Sequence, residues 1–216
     1  MKFDGIEKVH KTVPPLPPPL AGLAVDHAAG VTALQKTRKD FFGRVSTMKG
    51  QLQSAAGFVV FLVMCLGAQL TASLLTLPAI RSGWHAGLEK PFFNPPDWLF
   101  GPVWTVLYFT MAVAAWMVWK KGSGSSMLKP ALMIFFSQLV FNVLWSALFF
   151  GMRRPGLAFM EIVVLWLLIL VTALVFARIS RWAALLLVPY LVWVLYAAVL
   201  NGSIWWLNRG LAGPVG

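Results

Sequence analysis

Runs without charge alternate with short clusters of lysine and arginine along most of the chain. Four long runs contain no charged residue: 51–80, 98–119, 130–152 and 182–208. A fifth run, 155–177, contains only one, Glu161. A helix needs about 20 apolar residues to cross a bilayer, and the alternation typical of barrel strands is absent. The pattern therefore predicts five transmembrane helices, at about 54–78, 100–120, 129–151, 156–178 and 183–206.

The connections between the predicted spans are short, with one exception. The clusters at 120–129, 153–154 and 178–181 leave room only for tight turns, so neighbouring helices should run antiparallel. The first connection, about 77–101, is long and contains four prolines and several aromatic residues. Long loops in compact folds usually cover or build a binding site. We therefore expect an all-α, antiparallel five-helix membrane bundle with the first loop as a lid; the alternative is a passive connector.

The first fifty residues differ from the rest. Residues 1–50 contain no Trp or Tyr, and residues 14–19 hold five of the fourteen prolines, which favours polyproline II or disorder there. Further on, the spacing of Leu34, Phe41, Val45, Met48 and Leu52 predicts one apolar stripe of a helix. The basic residues of this stretch are predicted to lie on the opposite face: Lys36, Arg38, Lys39, Arg44 and Lys49. This segment is either a basic helix on a membrane surface or a solvated stalk. The predicted regions are a tail, 1–50, a membrane domain, 51–209, and a second tail, 210–216.

Composition agrees with a membrane protein. Apolar residues make up 59% of the chain and charged residues 12%, against about 25% in soluble domains. This excludes a soluble enzyme domain, a disordered chain and a disulfide scaffold. The net charge of +11 does not indicate nucleic-acid binding, because only three acids occur beyond residue 50. Basic residues in the loops place the N-terminus in the cytoplasm if the membrane is a bacterial inner membrane. A mitochondrial outer membrane is the alternative location.

The predicted interior is aromatic with a few polar groups. All eleven Trp lie beyond residue 80. Residues three or four apart share one face of a helix. Three faces found in this way combine aromatic and polar side chains: Trp104, Tyr108, Met111 and Ala115; Gln138, Asn142, Trp145 and Phe149; Trp193, Tyr196 and Leu200. They predict a pocket for a large, flat, apolar ligand with polar edges. The alternative is a packed core in which Gln138 and Asn142 bond neighbouring helices.

Three sequence segments carry a family resemblance. Residues 90–108 read KPFFNPPDWLFGPVWTVLY, residues 138–146 read QLVFNVLWS, and residues 187–193 read LVPYLVW. In this order they resemble the translocator protein family, also called tryptophan-rich sensory protein or peripheral-type benzodiazepine receptor. The resemblance covers about residues 55–208 and leaves the tail outside.

The resemblance implies a function. It implies a five-helix bundle, often a homodimer, that binds or transports tetrapyrroles such as protoporphyrin IX and haem and has a sensory or stress-regulatory role. No obligatory cofactor is implied. Light-dependent porphyrin breakdown and sterol transport are the alternatives. Sterol binding is less favoured, because Gly202 stands where animal members carry the Tyr of a cholesterol motif.

The resemblance and the shared faces together give candidate site residues. Trp104 and Trp193 match tryptophans implicated in porphyrin breakdown. The full set of ligand-lining candidates is Trp84, Trp98, Trp104, Tyr108, Gln138, Asn142, Trp145, Phe149, Trp193 and Ala197. Arg81 and Lys90 are candidates for pairing with propionates. His85 could ligate haem iron, although a lone loop histidine is more often solvated; no metal site is expected.

Two further features bear on function. Glu161 is the only acid in a span, and we expect it to reach the interface near Arg153 or Arg154; the alternative is a proton relay in a transporter. Small residues spaced by four, Ala68 with Ala72 and Ala147 with Gly151, suit close helix packing, either within one chain or at a homodimer seam on span 3. No hydrolase triad, phosphate loop or metal cluster is present in the sequence.

Overall fold

The computed structural model describes residues 20–210, with side chains from Ala29 onward, and this part of the chain is helical without strands. Its elements are α1 (Leu20–Arg81), a 3₁₀ turn (Asp97–Leu99), α2 (Phe100–Lys121), α3 (Leu128–Ser146) with a π turn (Ala147–Gly151), α4 (Pro155–Ile179) and α5 (Arg181–Asn208). The predicted polyproline segment, 14–19, and most of the C-terminal tail lie outside the described residues.

The five helices of this part of the chain are each long and apolar enough to cross a membrane. The predicted all-α fold with five spans is thus confirmed, and the protein is an integral membrane protein. The first helix is longer than its predicted span, because it begins at Leu20 and not near residue 54. No proline occurs between Leu20 and Leu77, and charged side chains do not interrupt a helix, so nothing in the sequence breaks it earlier.

The chain divides into two compact units, Met1–Gln51 and Leu52–Gly216. The described part of the first unit is a stretch of α1 whose large apolar side chains are exposed. The second unit contains the helical bundle, with its core on the inward faces of α2 to α5 and on Phe61 and Cys65 of α1. Leucine and valine cover the outward faces, as on α4 at Val163, Leu167 and Leu174. Such a surface suits lipid, in which apolar side chains need no burial.

Glycine brings α4 and α5 into close contact. A Cβ added at Gly202 would lie 2.8 Å from Phe159, and one added at Gly156 would lie 2.7 Å from the indole nitrogen of Trp205. The rings of Phe159 and Trp205 stack on each other at 6.0 Å, which limits how far either ring can move aside. The two glycines therefore let this aromatic pair fill the space between the helices.

The bundle also buries Glu161, contrary to the sequence expectation. This residue is 8% exposed, and neither carboxylate oxygen has a hydrogen-bond partner among the described residues. The prediction that Glu161 reaches the interface near Arg153 or Arg154 is therefore wrong. The reason is rotational: Glu161 lies on the same side of α4 as the buried Ala158 and Leu165.

The glycine contact yields a prediction about packing. We expect Gly202→Ala to destabilise the bundle by about 1–3 kcal/mol, because Phe159 must leave its stack on Trp205. Gly67→Ala is the matched control, since a Cβ at Gly67 meets nothing within 4 Å and alanine favours a helix. Unfolding of both variants in detergent measures the difference. Equal stability of the two variants would show that the α4–α5 contact tolerates the extra methyl group.

Candidate functional site

A cavity of about 300 Å³ lies within the second unit. One face of α1, the first half of α2, the end of α3 and part of the first loop surround it. This size falls at the lower end of the range of small-molecule sites. The residues around it are Gln69, Ala72, Ser73, Thr76, Leu77, Ile80, His85, Asp97, Phe100, Gly101, Trp104, Tyr108, Asn142, Trp145, Ser146 and Phe150.

A chain of buried hydrogen bonds fixes one wall of the cavity. The Tyr108 hydroxyl donates to Asn142 Oδ1, and Asn142 Nδ2 donates to the Tyr190 hydroxyl at 2.8 Å. The Tyr190 hydroxyl in turn donates to Gln138 Oε1 at 2.9 Å. All four residues are buried. Asn142 thus serves two of the roles considered from the sequence, because it bonds neighbouring helices and also lines the cavity.

Two tryptophans add aromatic surface to the same cavity. Trp145 donates its indole N–H to Asn201 Oδ1 at 2.9 Å, and its ring stacks on Phe149 at 5.4 Å. These contacts fix the direction of the indole plane. Trp104 lies 5.8 Å from Tyr108 and 6.3 Å from Tyr190, measured between ring centroids. The cavity therefore offers ordered aromatic faces beside a small number of hydrogen-bonding groups.

His85 and Asp97 place titratable groups on the cavity wall. The His85 ring packs against Phe150 at 5.5 Å. Burial lowers the pKa of His85 below its ordinary 6.5, and the positive charge of Lys90 lowers it further, while Asp97 acts in the opposite direction. The imidazole is accordingly neutral at pH 7, so one ring nitrogen can donate a hydrogen bond and the other can accept one. No cluster of three metal-binding side chains occurs among the described residues.

The first loop is tied to α5 by side chains of that helix. Asn208 Oδ1 accepts a hydrogen bond from the Glu89 backbone N–H at 3.0 Å, and its Nδ2 donates to the Glu89 carbonyl at 2.9 Å. The Tyr196 hydroxyl donates to the Phe93 carbonyl at 2.7 Å. Asn208 is fully buried, and its side-chain amide pairs with both backbone groups of Glu89, as the backbone of a neighbouring strand would do.

The turn between α3 and α4 holds the opposite end of the loop. Arg153 has a positive φ of 56°, and its guanidinium donates to Ser82 Oγ at 3.1 Å. The same guanidinium lies 5.9 Å from the ring of Trp84, which packs edge-on against Phe149. The loop therefore closes over one end of the bundle, in the position that a lid requires.

The structure brings four of the predicted ligand-binding residues together in the cavity wall: Trp104, Tyr108, Asn142 and Trp145. It places the others elsewhere. Trp193 packs against Phe100 and Tyr196, on the α5 side, and Trp98 is 71% exposed. The residues outside the wall are Arg81, Trp84, Lys90, Trp98, Gln138, Phe149, Trp193 and Ala197. Their roles in ligand binding remain predictions.

The sequence reasoning did not select the α1 side of the cavity. Gln69, Ser73 and Thr76 are spaced by three and four residues, so they share one helical face within an otherwise apolar span. Gln69 also donates to Thr105 of α2 at 2.9 Å. Polar residues at helical spacing are the signal for this side, whereas the tryptophans, all beyond residue 80, indicate only the later spans.

Comparisons with known proteins agree with this architecture. The sequence profile of the TspO/MBR family matches residues 58–207. The tryptophan-rich protein TspO of Chlorobaculum tepidum is 44% identical over 67% of this chain and 91% of its own length. The tryptophan-rich sensory protein of Cereibacter sphaeroides is 41% identical over 70% of this chain and 90% of its own.

Similarity extends to animal proteins. The translocator protein of Sus scrofa is 37% identical over 74% of this chain and 92% of its own length. The profile match covers well over half of the chain, and it ends within the last turns of α5. With five membrane-spanning helices and this extent of similarity, the chain belongs to the TspO/MBR family.

Proposed function

We propose that this protein binds a tetrapyrrole such as protoporphyrin IX or haem in the cavity between α1, α2 and α3, and that binding serves transport or stress sensing. One observation carries the proposal: Trp104 and Trp145 present ordered indole surfaces to one cavity that also contains Tyr108 and Asn142. Flat aromatic ligands stack on such surfaces, and the few polar groups orient their edges.

The distribution of charge around the cavity suggests how a tetrapyrrole would be oriented. Asp97 is the acid on the wall, and it would repel a propionate. Arg81 follows the cavity residue Ile80 at the end of α1, while Lys90 lies in the first loop. Propionates directed toward Arg81 and Lys90 would find cations and avoid Asp97. The macrocycle would then occupy the aromatic interior.

Titration with protoporphyrin IX tests the site. We expect Trp104→Ala to weaken binding about fivefold or more, since loss of one stacking ring corresponds to ~1–3 kcal/mol. The Soret absorbance of the porphyrin is the readout, because it does not depend on the number of tryptophans. Trp182→Ala is the control, as Trp182 is an exposed tryptophan outside the cavity.

Two outcomes would contradict the assignment. Unchanged affinity in both Trp104→Ala and Trp145→Phe would exclude this cavity as the porphyrin site. A loss of affinity in Trp193→Ala alone would move the site to the α5 side, where Trp193 contacts Phe100 and Tyr196.

Light-dependent breakdown of the bound porphyrin is the second candidate function, favoured by the presence of Trp104 in the cavity wall. The titration extends to it with one further variant, Trp104→Phe. Porphyrin absorbance should stay constant in the dark and decline under illumination only when the protein is present, and Trp104→Phe should slow the decline at saturating porphyrin. A decline that is equal with and without protein would leave binding as the function.

The ties between the first loop and α5 generate a kinetic prediction. We expect Asn208→Ala to speed porphyrin dissociation several-fold with a smaller effect on association, because both hydrogen bonds to Glu89 are lost and the loop opens more often. Stopped-flow displacement measures the off-rate. Arg209→Ala is the neighbouring control, since Arg209 is exposed and stacks on Trp206. An unaltered off-rate in Asn208→Ala would make the loop a passive connector.

Self-association is a further part of the proposal. Gly151 ends the π turn after α3, and a Cβ added there meets nothing within 4 Å, so its surface is free to approach a second copy. We expect Gly151→Leu to reduce cross-linked dimer in bilayers. Gly67→Leu on α1, with equally open surroundings, is the control. Equal dimer yields in the two variants would place the seam elsewhere.

A further inference from the structure

The part of α1 before the family match has an apolar stripe that the membrane bundle does not use. The match begins at residue 58, whereas the stripe runs from Leu34 to Leu52. Leu34 is 72% exposed, Phe41 61% and Met48 60%. A stripe this regular requires an apolar partner, because exposed side chains of this size are otherwise unfavourable in water.

Basic residues border this stripe and do not simply oppose it. At 3.6 residues per turn, Arg38 and Lys49 fall along one edge of the stripe and Arg44 along the other. Lys36 and Lys39 lie on the far face. The expectation that all five basic residues oppose the stripe is therefore wrong for three of them. Asp40 is the single acid between residues 29 and 52.

Aromatic side chains lie next to these bordering cations. Phe41 and Phe42 contact each other edge-on at 5.8 Å, and the guanidinium of Arg38 lies over the Phe42 ring at 5.6 Å. Phe42 itself is 57% exposed. A narrow apolar face, aromatic residues and cations at its edges are the features of a helix that lies in a lipid headgroup region, where the cations reach outward to phosphates.

We propose that the helical segment from Val31 to Leu52 lies in the membrane interface and binds anionic lipid headgroups. The segment carries five basic residues and one acid, a net charge of 5 − 1 = +4, which complements an anionic surface. It belongs to the same helix as the first span, so it is always held close to a membrane. Glycine has the lowest helix propensity of the non-proline residues, and Gly50 lies near the junction of the segment and the span, so a change of helix direction costs least there.

A second copy of the chain is the strongest competing occupant. The stripe follows the alternating spacing of four and three that coiled coils use: Leu34, Arg38, Phe41, Val45, Met48 and Leu52. In a parallel pair, however, Arg38 would enter the apolar seam, and Arg44 of one copy would face Lys49 of the other. Both placements are unfavourable for self-association and favourable at an anionic surface.

Site-directed spin labelling of the full-length protein in lipid nanodiscs tests the proposal. Cys65 is the only cysteine, so Cys65→Ala gives a background for single labels. Phe41→Cys places a label on the stripe, and Thr47→Cys places a matched label on the exposed opposite face. In nanodiscs of phosphatidylcholine with phosphatidylglycerol, we expect the label at 41 to collide several-fold less with a water-soluble nickel complex, and more with oxygen, than the label at 47.

Charge variants separate lipid recognition from simple burial. We expect Arg44→Gln/Lys49→Gln to abolish the difference between the two labels, whereas Lys36→Gln/Lys39→Gln, which removes the same charge from the far face, largely keeps it. Pure phosphatidylcholine nanodiscs should reduce the difference several-fold. Equal accessibility at 41 and 47 in the anionic nanodiscs would overturn the proposal. So would dipolar broadening at position 41 in both lipid mixtures, because that result identifies a second copy as the occupant.

Discussion

Inside a bilayer a buried polar side chain without a partner is costly, and one chain of four hydrogen-bonded residues organises this bundle. Tyr108, Asn142, Tyr190 and Gln138 bond in sequence and join α2, α3 and α5. Asn142 is the central member, since it accepts from one tyrosine and donates to the other. Because an unsatisfied amide or hydroxyl is costly in an apolar interior, the rotation of all three helices follows from these bonds. The cavity wall is a consequence, as Tyr108 and Asn142 also face it.

Much of this architecture could be predicted from the sequence, for physical reasons that particular residues illustrate. A helix that crosses a bilayer needs a long run with few or no charges, so the charge pattern predicts the five spans. Gln138 and Asn142 could be placed inside because amides avoid lipid. The start of α1 could not be read, since the hydropathy that locates a span does not mark where a helix begins. The position of Glu161 near the start of α4 predicts exposure, but the rotation of α4 turns its side chain inward.

The candidate site was harder to predict than the fold. Trp104 and Trp145 shared faces with polar residues, and both line the cavity. Trp193 also lies on a predicted inward face, but it packs on the α5 side. A helical face shows which residues point inward but not which cavity they reach. Gln69 and Thr76 share a face of α1, but in a long apolar span this spacing alone does not distinguish a cavity wall from an ordinary helix contact. Only the packing of α1 beside α2 shows that they line the cavity.

The hydrogen bonds at the closed end indicate which side of the cavity is held most firmly. Asn201 and Asn208 are seven residues apart on α5, so they share a face. Asn201 bonds Trp145 and the Pro155 carbonyl, and Asn208 bonds both backbone groups of Glu89. On the other side, the bond from Gln69 to Thr105 joins α1 to α2 beside the cavity. A ligand that left between α1 and α2 would therefore break fewer of these side-chain hydrogen bonds than one that separated α5 from its neighbours. The aromatic wall, which Asn201 of α5 holds from behind through Trp145, is then the more firmly held side of the cavity, and α1 is the side with fewer side-chain bonds.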